Sequence, residues 1–108
     1  MTPSLDAVFA ALSDPTRRAV IERLRKGPAK VGELAAPHAM ALPSFMAHLR
    51  KLEDAGLIVS VKQGRVRICR MAPGAFQAAN HWLMVQHENR PGRLDRLDSF
   101  MDRFRNDA

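Results

Sequence analysis

The chain has 108 residues, 46% hydrophobic and 26% charged, a composition that belongs to one soluble folded domain and not to a disordered segment. Its formal charge of +6 and pI near 10.7 favour an anionic polymer as partner. No run of roughly 18 apolar residues is present to cross a bilayer, and a single cysteine, Cys69, excludes an internal disulfide or a thiolate metal cluster. The start, MTPSLDAVFAAL, lacks the basic region and small-residue cleavage site of a secretory signal, so a cytoplasmic protein is expected.

In chain order, Ser4 is placed to cap a short helix that carries Leu5, Val8, Phe9 and Leu12 on one apolar face. Asp14 starts a second helix. Its carboxylate accepts from first-turn amides, Pro15 suits the first helical position where no N–H is needed, and Val20, Ile21 and Leu24 supply apolar contacts until Gly27-Pro28. A third, short helix is predicted from about Lys30 to Ala36, closed by Pro37. The fourth runs from Leu42 or Pro43 to Ala55, and Gly56 is placed to end it in the left-handed conformation. The period then changes to alternation in Leu57 to Gln63 and Arg65 to Met71, with Gln63-Gly64 as the turn of a two-stranded hairpin. Pro73-Gly74 opens a final helical region with Phe76, Ala79, Trp82, Leu83 and Val85, followed beyond Pro91-Gly92 by Leu94, Leu97, Phe100, Met101 and Phe104. One kinked helix and two separate helices both satisfy that pattern.

The expected fold is therefore mainly α with a small β-hairpin, the winged helix-turn-helix plan. It is read as a single domain over 1–108, with a core at about 14–71 and outer helices at about 4–12 and 74–105. At about 100° per residue the fourth helix puts Leu42, Phe45, Met46, Leu49 and Leu52 on one side. Ser44, Ala47 and Lys51 fall opposite, flanked by Pro43, His48 and Arg50. This outer set has no acid in its first two turns. Ser44 and His48 have groups able to hydrogen-bond base edges, and Arg50 and Lys51 are suited to phosphates. The hairpin adds Lys62, Arg65, Arg67 and Arg70, with no acidic residue between Gly56 and Glu88. Arg17 and Arg18 bring further positive charge near the start of the second helix, unless an ion pair with Asp14 or Glu22 uses one of them.

The stretches ALSDPTRRAVIERL at 11 to 24 and HLRKLEDAGLI at 48 to 58, followed by the basic hairpin, resemble the ArsR family of bacterial winged-helix repressors over roughly residues 5 to 71. The resemblance implies a homodimer that blocks transcription from a palindromic operator, with the helix at 42–55 reading double-stranded DNA and terminal helices forming the dimer interface. The family's metal sensors carry a cysteine-containing motif on the third helix, whereas this chain has KVGELAAPHAM there, which argues against thiolate sensing. The candidate DNA contacts are Arg17, Pro43, Ser44, Ala47, His48, Arg50, Lys51, Lys62, Arg65 and Arg67. The candidate interface is Leu5, Val8, Phe9, Trp82, Leu94, Leu97 and Phe104, whose apolar faces exceed what a core of this size covers.

Other chemistries fit less well. His81 and His87 stand six positions apart and point about 120° away from each other on a helix, so one face cannot chelate with both and only a site shared across a dimer stays open. No metal and no cofactor is expected, and Cys69 reads as a small buried residue of a strand. The chain has no nucleophile motif, glycine-rich phosphate loop or acid pair with a companion base, so no enzyme is expected. A winged-helix module that binds protein instead of DNA is the alternative. The inducing signal, if one exists, has no signature in the sequence.

Overall fold

The computed structural model describes residues 4–88. Those residues divide into two compact units that meet in sequence at Phe76 and Gln77. In the first unit, α1 (Leu5–Ala11) is capped by Ser4, whose Oγ accepts the Ala7 amide at 3.2 Å. The second helix, α2 (Pro15–Leu24), is capped by Asp14, whose carboxylate accepts the Arg17 amide at 3.0 Å. Both caps satisfy donors that a first helical turn leaves without intrahelical partners. After Gly27 come the two-residue strand β1 (Ala29–Lys30) and the short helix α3 (Val31–Ala35). The reading-helix candidate α4 (Leu42–Asp54) ends at Ala55, and Gly56 takes a φ of 75° to turn the chain.

The hairpin is β2 (Ile58–Gln63) and β3 (Val66–Met71), in register from Ile58 opposite Met71 to Gln63 opposite Val66. That register makes Gly64-Arg65 the two-residue loop, one position later than the sequence pattern placed it. Gly64 has φ 65° while Arg65, the other loop residue, does not have positive φ, the pattern of a type II′ turn, whose twist matches the strands it joins. A third strand was not expected. β1 pairs antiparallel with β3 through Ala29 opposite Cys69 and Lys30 opposite Ile68, giving the order β1-β3-β2. Lys30 thus closes a strand and serves as N-cap of α3, which starts one residue later than its predicted beginning.

The core is made of Val8, Val20, Leu24, Leu34, Phe45, Leu49, Leu52, Leu57, Ile58 and Cys69, each no more than 3% exposed. Each large apolar side chain buried this way contributes about 1.5–3 kcal/mol. Leu42 and Val8 depart from the positions expected of them. Leu42 is 57% exposed, because it sits in the first turn of α4, beyond the edge of the packed elements. Val8 is 2% exposed within its own chain, so it belongs to the protomer's core and is not available to a second subunit.

The second unit contains α5 (Gln77–Glu88), with Trp82 and Leu83 43% and 51% exposed. Phe76 precedes this helix instead of lying in it. The predicted run holding Leu94, Leu97 and Phe104, and with it the kink at Pro91-Gly92, lies outside the described residues.

Candidate nucleic-acid interface

The outer face of α4 is assembled by the same periodicity that buries its inner face. Phe45, Leu49 and Leu52 point into the core, which turns Pro43, Ser44, Ala47, Arg50 and Lys51 outward, all of them exposed. The first turn contains no acid, and its N-cap, Ala41, has no side chain able to take the leading amides. The helix therefore presents N–H groups, a hydroxyl, small residues that permit close approach and two cations along one side.

The wing provides the second set. Lys62 stands opposite Arg67 across the β2–β3 ladder, and Arg65 occupies the turn itself; all three are exposed. Arg67 does not hang freely from the strand. Its Nη1 donates to Ser60 Oγ at 2.9 Å, and Ser60 Oγ donates to Glu53 Oε1 at 2.6 Å. A carboxylate near the end of α4 thereby holds a wing arginine through one serine, and charge-assisted bonds of this kind are among the stronger surface contacts. Arg65 and Arg67 also line a recess with Lys30, Val66, Glu33 and Met46, whereas Ala47, Arg50 and Lys51 line another with Ala7, Ala10 and Asp54 between α1 and α4.

Two of the residues expected to contact DNA also make contacts within the protein. Arg17 Nε donates to the Ala11 carbonyl at 2.7 Å, Nη2 to the Ala10 carbonyl at 3.1 Å, and Nη1 lies 2.9 Å from His48 Nδ1. Three of its five N–H groups are thus engaged within the protein, and Arg17 acts as a clamp joining α1, α2 and α4. Arg18 Nη1 completes this clamp by donating to the Leu12 carbonyl at 2.8 Å. Cations at these carbonyls are favourable because a helix C-terminus leaves its last C=O groups unsatisfied and partly negative. The side chains of both arginines are held by backbone carbonyls of the preceding helix, the alternative of an ion pair with Asp14 or Glu22 not being how either is anchored.

His48, expected on the outer face, is a half-buried residue at its edge, with 23% of its side chain exposed. Its Nδ1 also lies 3.8 Å from Asp14 Oδ2, too long for a hydrogen bond. The Arg17 amide bound to Asp14 holds that carboxyl below the usual aspartate value. Neither Arg17–His48 nor Glu53–Ser60–Arg67 was read from the sequence. The basic doublet after an N-cap Asp was visible, but the target carbonyls of Arg17 and Arg18 lie on the preceding helix and carry no side-chain signature.

Elsewhere, Cys69 is buried between β1 and β2, and burial pushes its thiol pKa up, away from nucleophilic or metal-binding thiolate. His81 and His87 both lie on α5. Among the described residues no group of three or more His, Cys, Asp or Glu side chains is arranged to hold a metal ion, and no helix is long and apolar enough to cross a membrane.

Comparison with known proteins decides the family. A helix-turn-helix domain family matches residues 12–61. An HTH-type transcriptional regulator of Mycobacterium tuberculosis is 39% identical over 75 residues, which span 69% of this chain and 70% of that protein. The crystal structure of an ArsR family transcriptional regulator has 56% identity and a TM-score of 0.75, covering 78% of this chain and 92% of that one. The chain belongs to the ArsR family of transcriptional regulators. Within the ArsR family, an ArsR-like regulator from Rhodococcus is 27% identical, covering 96% of this chain and 92% of its own, with a TM-score of 0.65. The transcriptional repressor SdpR of Bacillus subtilis is 29% identical over 80 residues, 74% of this chain and 89% of that protein. A homodimeric winged helix-turn-helix DNA-binding domain from Mycobacterium bovis, at 23% identity and TM-score 0.61, shares the fold. The ArsR fold accounts for the five helices and the three-stranded sheet among the described residues.

Proposed function

We propose that this protein is a sequence-specific, homodimeric DNA-binding repressor that reads a palindromic operator with α4 and grips the adjoining backbone with its wing. The observation that carries this reading is the acid-free outer side of the first turns of α4, where Ser44, Ala47, Arg50 and Lys51 are exposed in a chain whose hairpin tip carries Lys62, Arg65 and Arg67 and no acid. Ser44 and the small Ala47 face base edges, while Arg50, Lys51, Lys62, Arg65 and Arg67 neutralise phosphates. Two such helices, one per protomer, enter successive major grooves about 34 Å apart and give the operator two-fold symmetry.

Several features support the dimer and the repressor role. The relative from Bacillus subtilis is named a repressor, and the domain from Mycobacterium bovis is homodimeric. This chain presents Leu5 and Phe9 on α1 and Trp82 on α5 at least partly to solvent, with Phe9 39% exposed. The proposed interface uses these residues, together with Leu94, Leu97 and Phe104. A protein-binding module of the same fold would have no use for an acid-free face paired with a basic wing. The deciding experiment is selection of genomic fragments by purified protein, followed by titration of the recovered duplex against salt. Selection of an inverted repeat, with affinity falling steeply as salt rises, is expected. Recovery of random fragments, or affinity unchanged from low to moderate salt, would overturn the reading.

A further inference from the structure

Arg17 and His48 together specify the polarity of one position on α4. A guanidinium N–H only donates, so the 2.9 Å contact between Arg17 Nη1 and His48 Nδ1 requires that Nδ1 accept. A neutral imidazole that accepts at one nitrogen carries its proton on the other. Asp14 does not reverse this, since its Oδ2 is 3.8 Å from Nδ1 and already accepts the Arg17 amide at 3.0 Å. The guanidinium is itself held in place by the Ala10 and Ala11 carbonyls, so the donor aimed at His48 is fixed before any ligand arrives. His48 Nε2 has no hydrogen-bond partner among the described residues, and it is not among their buried, unsatisfied side-chain atoms, so it keeps some contact with solvent on a side chain that is 23% exposed.

We propose that Arg17 is a positioning residue that locks His48 in the Nε2–H tautomer, so that α4 presents a donor there and selects a hydrogen-bond acceptor on DNA. The acceptor is a base atom in the major groove (purine N7, guanine O6 or thymine O4) or a phosphate oxygen; the exocyclic amino groups of adenine and cytosine are rejected. This rests on the DNA-reading function proposed above and adds to it a rule for one contact. A histidine free to exchange tautomers would accept from those amino groups as readily as it donates to a carbonyl. The clamp removes that ambiguity, and it does so from a residue that need not touch DNA.

The test has two arms. In the first, the ring nitrogens of 15N-histidine-labelled protein are observed by NMR in wild type, Arg17→Met and Arg17→Lys, each checked for native circular dichroism. Wild type is expected to show His48 as a single Nε2–H tautomer, Arg17→Met a mixture, and Arg17→Lys, which retains a donor, a return toward the wild-type signal. An Nδ1–H tautomer in wild type, or no change in Arg17→Met, would overturn the lock.

In the second arm, the selected duplex is scanned with 7-deazapurines, 2-aminopurine and 5-methyl-2-pyrimidinone, which delete N7, O6 and O4, and separately with methylphosphonates. One substitution per half-site should weaken wild type by roughly two- to tenfold and leave His48→Ala unaffected. Sensitivity at a base analogue makes the acceptor a base, and sensitivity at a methylphosphonate makes it a phosphate; both uphold the donor assignment. If His48→Ala retains every sensitivity of wild type, the assignment fails while the DNA-reading function stands. If wild type binds no duplex at all, the functional reading fails first.

Discussion

Arg17 Nη1 and His48 Nδ1 are 2.9 Å apart although 31 positions separate them in the chain, and that contact ties the start of α2 to the middle of α4. The orientation of the candidate reading helix is thus set partly from outside it. A change at Arg17 alters what α4 presents without altering any residue on α4.

Asp14 supports this arrangement from behind, as the cap of α2. Replacing it with Ala should cost about 1 kcal/mol, with Asn recovering most of that because an amide oxygen also accepts from the first turn. The carboxyl is held below the usual aspartate value by the Arg17 amide, so the folded state favours its ionised form. Its charge-dependent contribution is complete above the ordinary aspartate range and disappears as pH falls through the lowered value. Urea unfolding of wild type and Asp14→Asn across acid pH should show their stabilities converging as the solution is acidified.

The helix boundaries were legible because their signals are local. Ser4 and Asp14 each accept from an amide three residues ahead, and the short stretch that contains donor and acceptor is enough to reveal the cap. The inner face of α4 was legible from period alone, except at Leu42, where a residue on the correct side has no neighbour to bury it. The strand β1 was not legible. Two residues have no period, and their partner strand lies some forty positions away. The exposed candidates Ser44, Ala47, Arg50 and Lys51 are legible as an outward face, whereas the internal bond between Arg17 and His48 is not, since polarity alone does not reveal a contact made within the protein.

Separating base reading from phosphate holding predicts two different kinds of defect. Ser44→Ala should narrow the gap between operator and scrambled duplex by an amount on the scale of one mismatched base pair, about 1–3 kcal/mol. Arg65→Ala should weaken both duplexes alike and reduce the slope of log affinity against log salt by roughly one. Titration of both variants at several salt concentrations checks this, and an unchanged operator preference in Ser44→Ala would remove that residue from the reading face.

Glu53 is expected to govern how well the wing is ordered. Glu53→Gln keeps the size but weakens the bond that Ser60 donates, and Ser60→Ala removes the bridge to Arg67 altogether. Each should cost no more than about 1 kcal/mol, since the network is only partly buried. The larger effect should appear in Arg67, whose side-chain 15Nε relaxation ought to report greater motion in both variants.

Gly64 makes the hairpin turn at φ 65°, and a Cβ added there would meet nothing within 4 Å. Sterics with neighbours therefore play no part, and Gly64→Ala should cost about 1–2 kcal/mol from backbone conformation alone. Asn, which tolerates positive φ better, should cost less. Thermal unfolding of the two variants gives the comparison.

Cys69 should behave as an inert thiol. It is fully buried, and burial raises its pKa, so the thiolate that reacts with disulfide reagents is scarce in the folded protein. Labelling with an aromatic disulfide should be slow in native buffer and fast in denaturant. Rapid native labelling would show that the sheet opens at β1.

Lys30 ends β1 and begins α3 without an intervening loop, which leaves the chain no slack between the wing's third strand and the helix-turn-helix. Lengthening the wing by insertion is therefore practicable at one place only, the Gly64-Arg65 tip, where added residues extend the ladder outward and the cost of a longer loop grows slowly. The same insertion between Ala29 and Val31 would have to break the pairing of Ala29 with Cys69 or displace α3 from its position ahead of α4. Variation in wing reach among proteins built on this plan should accordingly collect at the tip, with the base of the wing constant in length.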